Sequence, residues 1–165
     1  MWPFVPASEI DWPATAAVIS AFVAIGALAW NVWWSTQQAR KTIGQRLAQI
    51  EVQWIESFRE QVSIVSNSGN LLNLAKAGPW DERAQTLQKE TLYNIGKLDL
   101  MFAGYQHPSV ANFMGALFAF REGIKVNAEG GVVNLGPLNT LMREQANNVM
   151  AEKHKRVRDL LEGKL

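Results

Sequence analysis

The amino-acid sequence predicts an all-α protein in which one N-terminal transmembrane helix continues into a cytoplasmic helical bundle. The first observation behind this prediction is a stretch of 28 residues without a charged side chain, from Trp12 to Ala39. The second is that apolar residues after this stretch recur at every third or fourth position, which is the period of one helix face. The predicted regions are a short extracytoplasmic N-terminus (1–12), a transmembrane helix (13–35) and the cytoplasmic bundle (36–165).

The apolar centre of the uncharged stretch is long enough to cross a bilayer. As a helix, the segment from Pro13 to Trp34 would span roughly 33 Å. Glu9 and Asp11 precede the stretch, whereas all 16 Lys and Arg residues follow it. The positive-inside rule then places the N-terminus outside and the C-terminal part in the cytoplasm. A buried helix of a soluble core and a cleaved signal peptide are the alternatives, and the length of the stretch and the lack of a basic residue before it disfavour them.

Small residues form a stripe along the predicted span, namely Ala17, Ser20, Ala21, Ala24, Ala27 and Asn31. Helices in lipid associate where small side chains allow their backbones to approach closely. The stripe therefore predicts a homo-oligomer, and the alternative is a span that serves only as an anchor. An apolar face continues beyond the span, and we expect it to extend the contacts between subunits into the cytosol. The predicted interface consists of Ala17, Ala21, Ala24, Asn31, Ile43, Leu47, Ile50 and Trp54.

Glycine, proline and polar residues divide the cytoplasmic part into helices. The helix that leaves the membrane carries an apolar face from Ile43 to Val65, and we expect it to end at the cap and turn residues 66–70. Further helices are predicted over 81–102, from Pro108 to about Val126, and from Pro137 to the end of the sequence. Their apolar positions are sufficient for one modest core. On the helix that begins at Pro108 the residues predicted to face inward are Val110, Phe113, Leu117, Phe120 and Ile124.

No combination of residues in the sequence predicts a catalytic or metal site. The chain contains two histidines, His107 and His154, and no cysteine. A structural or catalytic zinc site needs several His, Cys or carboxylate ligands. We interpret His107 as a cap or wedge before the helix that Pro108 opens. The sequence thus predicts no catalytic residue, no metal ligand, no cofactor and a protein that is not an enzyme, and an enzyme with a less obvious site is the least favoured alternative.

The densest cluster of basic residues lies in the last predicted helix. It would suit contact with anionic lipid head groups, RNA or a phosphorylated ligand. The alternative is a solvated helix end, where cations are favoured by the helix dipole. A formal net charge of +1 does not favour a nucleic-acid partner. The residues of the cluster are Lys153, Lys155, Arg156 and Arg158. Three arginines that precede a glutamate, Arg59, Arg121 and Arg143, are interpreted as solvated or as intersubunit ion pairs.

Three short motifs resemble a broad group of small bacterial membrane proteins. Residues 53–60, QWIESFRE, look like the W-I-x-x-hydrophobic-R-E signature of that group. Residues 96–102 resemble its K-hydrophobic-acidic-hydrophobic helix, and His107-Pro108 stands in the expected turn. Residues 145–158 resemble its closing helix, although the tryptophan usual there is absent. The resemblance covers roughly residues 36–162.

The resemblance carries expectations about function. Proteins of this group have one N-terminal span and a helical cytoplasmic part, and they are suspected to act in phage defence. They are similar in layout to the accessory membrane-pore protein of type VI-B CRISPR systems. The resemblance implies a bacterial inner-membrane protein that forms pores or perturbs the membrane, together with a defence-system partner. The alternative is a membrane-tethered adaptor or ligand-binding module whose span is only an anchor.

Overall fold

A computed structural model of the chain describes residues 12–75, 81–105 and 107–164, with side chains described from residue 16 onward. Over these residues the protein is all-helical and contains no β-strand. The prediction of an all-α fold is therefore confirmed at this level. The predicted extracytoplasmic N-terminus lies outside the described residues, apart from Trp12. The four helices are α1 (Trp12–Leu74), α2 (Glu82–Leu100), α3 (Pro108–Ala128) and α4 (Leu135–Leu161).

The chain divides into two compact units, Met1–Ile43 and Gly44–Leu165. In the N-terminal unit every described side chain is exposed except that of Gln37, which is half-buried. The described part of α1 contains a window apolar and long enough to cross a membrane, and none of that window is buried. The core helix of a soluble protein or a signal sequence would meet the same criterion of length and composition.

The C-terminal unit is built around one main hydrophobic core to which α1, α2, α3 and α4 all contribute. Its centre is aromatic: the Phe58 ring lies 5.2 Å from that of Phe113 and 5.3 Å from that of Phe102, both in edge-to-face geometry. All five residues of α3 predicted to face inward are buried, so the predicted orientation of this helix is confirmed. Burial of a large apolar side chain contributes about 1.5–3 kcal/mol, which makes this core the main source of stability in the unit.

Helix α1 does not end at residues 66–70, as the sequence predicted, but continues to Leu74. The polar residues of this segment bond to α4 instead of terminating the helix. Asn139 of α4 donates from Nδ2 to the backbone oxygen of Ser66 at 3.0 Å and to Oδ1 of Asn70 at 2.8 Å. Asn73 accepts a hydrogen bond from the backbone N–H of Leu135 at 3.1 Å. Tertiary hydrogen bonds thus replace the capping role that the sequence suggested.

Gly69, in the same segment, is required by packing rather than by a turn. Its helical backbone lies against the ring of Phe120, and a Cβ placed on Gly69 would be 2.3 Å from Cζ of that ring. Phe120 is completely buried. The glycine therefore allows α1 and α3 to approach each other at the core.

The ends of the other helices differ from the prediction by a few residues. Helix α2 begins one residue later than predicted because Asp81 is its cap and accepts from the N–H of Ala84 at 2.7 Å. Helix α4 begins at Leu135, two residues before Pro137, because Asn134 caps it by accepting from the N–H of Gly136 at 3.0 Å. Proline is tolerated within the first turn of a helix, where its missing N–H has no partner in any case.

Two glycine-to-alanine substitutions test the role assigned to Gly69. We expect Gly69→Ala to lower the free energy of unfolding by about 1–3 kcal/mol, since the new methyl group would overlap the Phe120 ring. Gly115→Ala is the matched control, because it also lies within a helix but a Cβ added to it would have no atom within 4 Å. Alanine is the better helix former, so this control should be neutral or stabilising by up to about 1 kcal/mol. Chemical denaturation measures both, and equal effects would contradict the packing role of Gly69.

Candidate functional site

The N-terminal unit presents a continuous apolar surface. Ten large apolar side chains between residues 18 and 34 are each 50–71% exposed. Contiguous apolar surface of this extent marks a membrane or protein interaction site in most proteins. The residues are Val18, Ile19, Phe22, Val23, Ile25, Leu28, Trp30, Val32, Trp33 and Trp34.

Three tryptophans cluster at the C-terminal end of this apolar surface. The ring centroid of Trp30 lies 5.2 Å from that of Trp33 and 6.5 Å from that of Trp34. The first basic residues of the chain, Arg40 and Lys41, follow within two helical turns. Indole side chains followed by cations are typical of the boundary between a bilayer core and its head groups.

The small-residue stripe is exposed in the single chain. Ala17, Ala21, Ala24 and Asn31 are all exposed. The one hydroxyl in the stripe, that of Ser20, donates to the backbone oxygen of Ala17 at 2.9 Å and is therefore satisfied within the helix. The stripe is thus open for contact with another helix, and the contact itself stays a prediction.

The predicted apolar face from Ile43 to Val65 is not a single buried face. In the C-terminal unit the buried side of α1 begins instead with Gly44, Ala48 and Ile55, which pack toward the end of α4. A Cβ on Gly44 would lie 2.8 Å from the backbone oxygen of Leu160, so this approach is close.

The first three residues of the predicted cytosolic interface are left outside the core. Ile43 is 52% exposed, Leu47 is 40% exposed and Ile50 is 60% exposed. Their helical spacing puts them on one side of α1. Their exposure agrees with an interface between copies but does not test one.

Trp54, the last residue of the predicted interface, makes side-chain contacts within its own chain. Its ring stacks on Phe58 with centroids 5.1 Å apart and meets the edge of Phe102 at 5.3 Å. It packs against both hydrophobic clusters of the C-terminal unit. The fold therefore uses Trp54 to join α1 to its own core.

Lys153 lies at the centre of a polar cluster that the sequence did not predict. Its Nζ is 2.8 Å from Oε2 of Glu51, and the two side chains are only 10% and 14% exposed. The same ammonium lies 4.8 Å from the ring centroid of Trp54 and 4.4 Å from that of Tyr105. Arg156 contacts Glu51 at 3.3 Å and donates to the hydroxyl of Tyr105 at 3.4 Å. We call these five residues the Lys153 cluster.

The Lys153 cluster changes the interpretation of the predicted basic surface. Lys153 is buried, so it is not available to a lipid head group, and this part of the prediction is corrected. Lys155, Arg156 and Arg158 are exposed, and for them the lipid contact stays a prediction. A signal for the burial of Lys153 existed in the sequence, since it lies four residues after Val149 and four before Val157 on the apolar side of α4.

His107 forms the helix cap that the sequence predicted. Its Nδ1 accepts from the backbone N–H of Ser109 at 3.3 Å, and its Nε2 lies 2.5 Å from Oε1 of Glu152. The hydroxyl of Ser109 donates to the other oxygen of Glu152 at 2.5 Å. Ser109 therefore donates its hydroxyl proton to Glu152 and not to His107, because Nδ1 of His107 already accepts the backbone N–H of Ser109. The three residues tether the start of α3 to α4. Within the described parts of the chain, no group of three or more His, Cys, Asp or Glu residues could hold a metal ion.

Neutralising Lys153 tests the importance of the buried pair. We expect Lys153→Met to lower the free energy of unfolding by about 3 kcal/mol, because it leaves Glu51 buried with only Arg156 as partner. Glu51→Gln combined with Lys153→Met should recover part of this loss, since no unpaired charge then remains. Lys155→Met, at an exposed neighbouring position, should change stability by less than about 0.5 kcal/mol. A Lys153→Met protein as stable as the control would contradict the assigned role.

Truncating Trp54 tests whether it belongs to the core. We expect Trp54→Ala to cost about 3 kcal/mol, because the change leaves a cavity against Phe58 and Phe102. Phe118→Ala is the control, since Phe118 is an aromatic residue 60% exposed on α3 and its loss should be mild. Thermal unfolding followed by circular dichroism measures both. A Trp54→Ala protein that keeps its stability but loses its activity would instead identify Trp54 as a residue that binds a partner.

The comparisons with known proteins add no family to this description. No family model, curated protein or solved structure matches the chain. The resemblance to small phage-defence proteins accordingly remains an expectation from short motifs.

Proposed function

We propose that the chain is a single-span inner-membrane protein that self-associates through its span and perturbs the bilayer. The N-terminus would lie outside and the C-terminal unit would be a cytoplasmic helical bundle. The observation that carries the proposal is the apolar surface of α1 between residues 16 and 34, where every side chain is exposed. The resemblance to phage-defence proteins suggests antiviral defence as the setting.

The exposure of the apolar side chains of α1 supports a membrane span rather than the core helix of a soluble protein. A core helix buries its apolar side chains within its own chain, whereas here Phe22 is 71% exposed and Val23 is 66% exposed. In water such a surface would drive aggregation, and in a bilayer it is the favoured state. The clustered indoles and the basic residues that follow them support the same conclusion, since both are favoured at the inner boundary of a membrane.

Two exposed surfaces support self-association. The stripe of Ala17, Ala21 and Ala24 would let the backbones of two spans approach, which is what drives helix association in lipid. The exposed apolar residues Leu47 and Ile50 would continue the contact in the cytosol, where their burial is favourable. Assembly of several spans around an axis is one way in which single-span proteins open or thin a bilayer.

The C-terminal unit supports a second candidate function, that of a membrane-tethered adaptor. Its core is complete in the single chain, because Trp54 is packed on Phe58 and the charge of Lys153 is paired with Glu51. Such a unit does not need neighbouring copies to fold. In this case the span would be only an anchor.

A pair of bulky substitutions tests self-association. Ala21→Leu and Ala24→Leu together should lower the native mass of the protein in mild detergent, because the larger side chains keep the backbones apart. Phe22→Leu, one position off the stripe, should leave the mass unchanged. Native mass spectrometry measures all three proteins. If the unsubstituted chain is already monomeric, self-association through the stripe is wrong.

Release of a trapped dye separates the two candidate functions. A membrane-perturbing protein should release dye from liposomes, and the Ala21→Leu, Ala24→Leu double variant should release it more slowly because it assembles less. An adaptor should insert without releasing dye. Insertion is measured in the same samples by flotation, so that the absence of dye release can be told apart from a failure of the protein to insert.

A further inference from the structure

We propose that a cleft between α1 and α4 in the C-terminal unit is a binding site for a phosphate group carried by a small ligand or a lipid. The cleft has a volume of about 270 Å³. It is distinct from the surfaces used for the proposed membrane function. The polar residues that line it are Arg59, Ser63, Ser66, Asn67, Arg143 and Asn147.

Two arginines from different helices face this cleft without partners in the protein. Arg59 belongs to α1 and Arg143 to α4, and both line the cleft. Among the described residues, neither guanidinium takes part in an ion pair, a hydrogen bond or a cation–π contact. Two like charges at one cleft repel each other, so the pair is stabilised by an anion between them. No acidic residue is among the described residues that line the cleft.

The helical register explains why these residues share one cleft. Arg59, Ser63 and Ser66 are spaced by four and three along α1, which places them on one face. Arg143 and Asn147 are spaced by four along α4 and face them. Two apolar residues, Val62 and Met150, also line the cleft.

Ser66 adds a hydroxyl donor to the lining of the cleft. This residue is only 4% exposed, and it lines the cleft. Its backbone oxygen accepts from Asn139, but its hydroxyl has no hydrogen-bond partner among the described residues. The hydroxyl oxygen itself is accessible, so an anion in the cleft would accept its proton.

The number of donors favours phosphate over carboxylate. One arginine satisfies a planar carboxylate by itself through two parallel N–H···O bonds. This cleft offers two guanidiniums together with serine hydroxyls and the amide groups of Asn67 and Asn147. A tetrahedral phosphate has enough acceptor oxygens to use donors that arrive from two helices.

Titration of the full chain in uncharged detergent tests the site. Inorganic phosphate should bind at constant ionic strength, and acetate should bind much more weakly. Arg59→Gln and Arg143→Gln should each weaken phosphate binding by about 10- to 100-fold, as expected for the loss of charged hydrogen bonds. Arg83→Gln, which removes an exposed arginine of α2, should leave binding unchanged. Ser66→Ala should weaken it by less than either arginine substitution. Circular dichroism establishes that each variant is folded, and both arginines are exposed enough for glutamine to be accommodated.

A second arm identifies the source of the phosphate. Vesicles of phosphatidylcholine with or without phosphatidic acid are compared in the presence of the same variants. If the natural ligand is a lipid, phosphatidic acid should displace inorganic phosphate from the unsubstituted chain but not from the Arg59→Gln variant. If the natural ligand is a small soluble molecule, phosphatidic acid should not displace inorganic phosphate. The proposal is overturned if neither form of phosphate binds, if acetate binds equally well, or if Arg83→Gln weakens binding as much as Arg143→Gln.

Discussion

The exposed apolar surface of α1 is the constraint on which the organisation of this protein depends. A single helix carries two burial patterns: between residues 16 and 34 its apolar side chains are exposed on all sides, and after Gly44 only one of its faces is buried. The first pattern suits a solvent that is itself apolar. The second is the pattern of an ordinary amphipathic helix on a protein core. One helix thus carries an apolar surface that would suit a bilayer and, further along, a face that packs on the core of the C-terminal unit.

The C-terminal unit combines an aromatic core with a charge placed inside it. The ammonium of Lys153 is held by Glu51 and by the faces of Trp54 and Tyr105, so that residues far apart in the sequence meet at one point. Removing either partner of such a buried pair would leave a charge without its counterion, which is strongly unfavourable. The cluster therefore connects α1, α4 and the segment between α2 and α3 at one point.

Local sequence patterns predicted the elements of the fold better than their ends. The inward face of α3 was predicted in full because its period is uninterrupted and its core is apolar. The continuation of α1 to Leu74 was missed because Gly69 and Asn70 have the same composition as a helix terminus. Their actual roles, close packing on Phe120 and a bond to Asn139, depend on residues more than fifty positions away.

The same reasoning explains what was missed in the candidate sites. The partner of Lys153 is 102 residues distant, and no local spacing connects the two. Arg59 and Arg143 each precede a glutamate, and this sequence pattern suggested ion pairs. Consecutive side chains of a helix point about 100° apart, however, so that an arginine does not face the glutamate that follows it. Only the packing of α1 on α4 brings the two arginines to one cleft. The exposed stripe of α1, in contrast, follows from period alone and could be read from the sequence.

Labelling of single cysteines tests whether α1 crosses the membrane, because the chain contains no cysteine that would react in the background. Three variants are compared: Ser8→Cys, Val23→Cys and Ala151→Cys. The outer membrane is removed from the cells first, and a membrane-impermeant maleimide is then added either to intact cells or to cells whose inner membrane has been permeabilised. We expect the cysteine at position 8 to react in intact cells, the one at position 151 to react only after permeabilisation, and the one at position 23 to react in neither. Equal reaction of the cysteine at position 23 and the one at position 151 would contradict the membrane crossing.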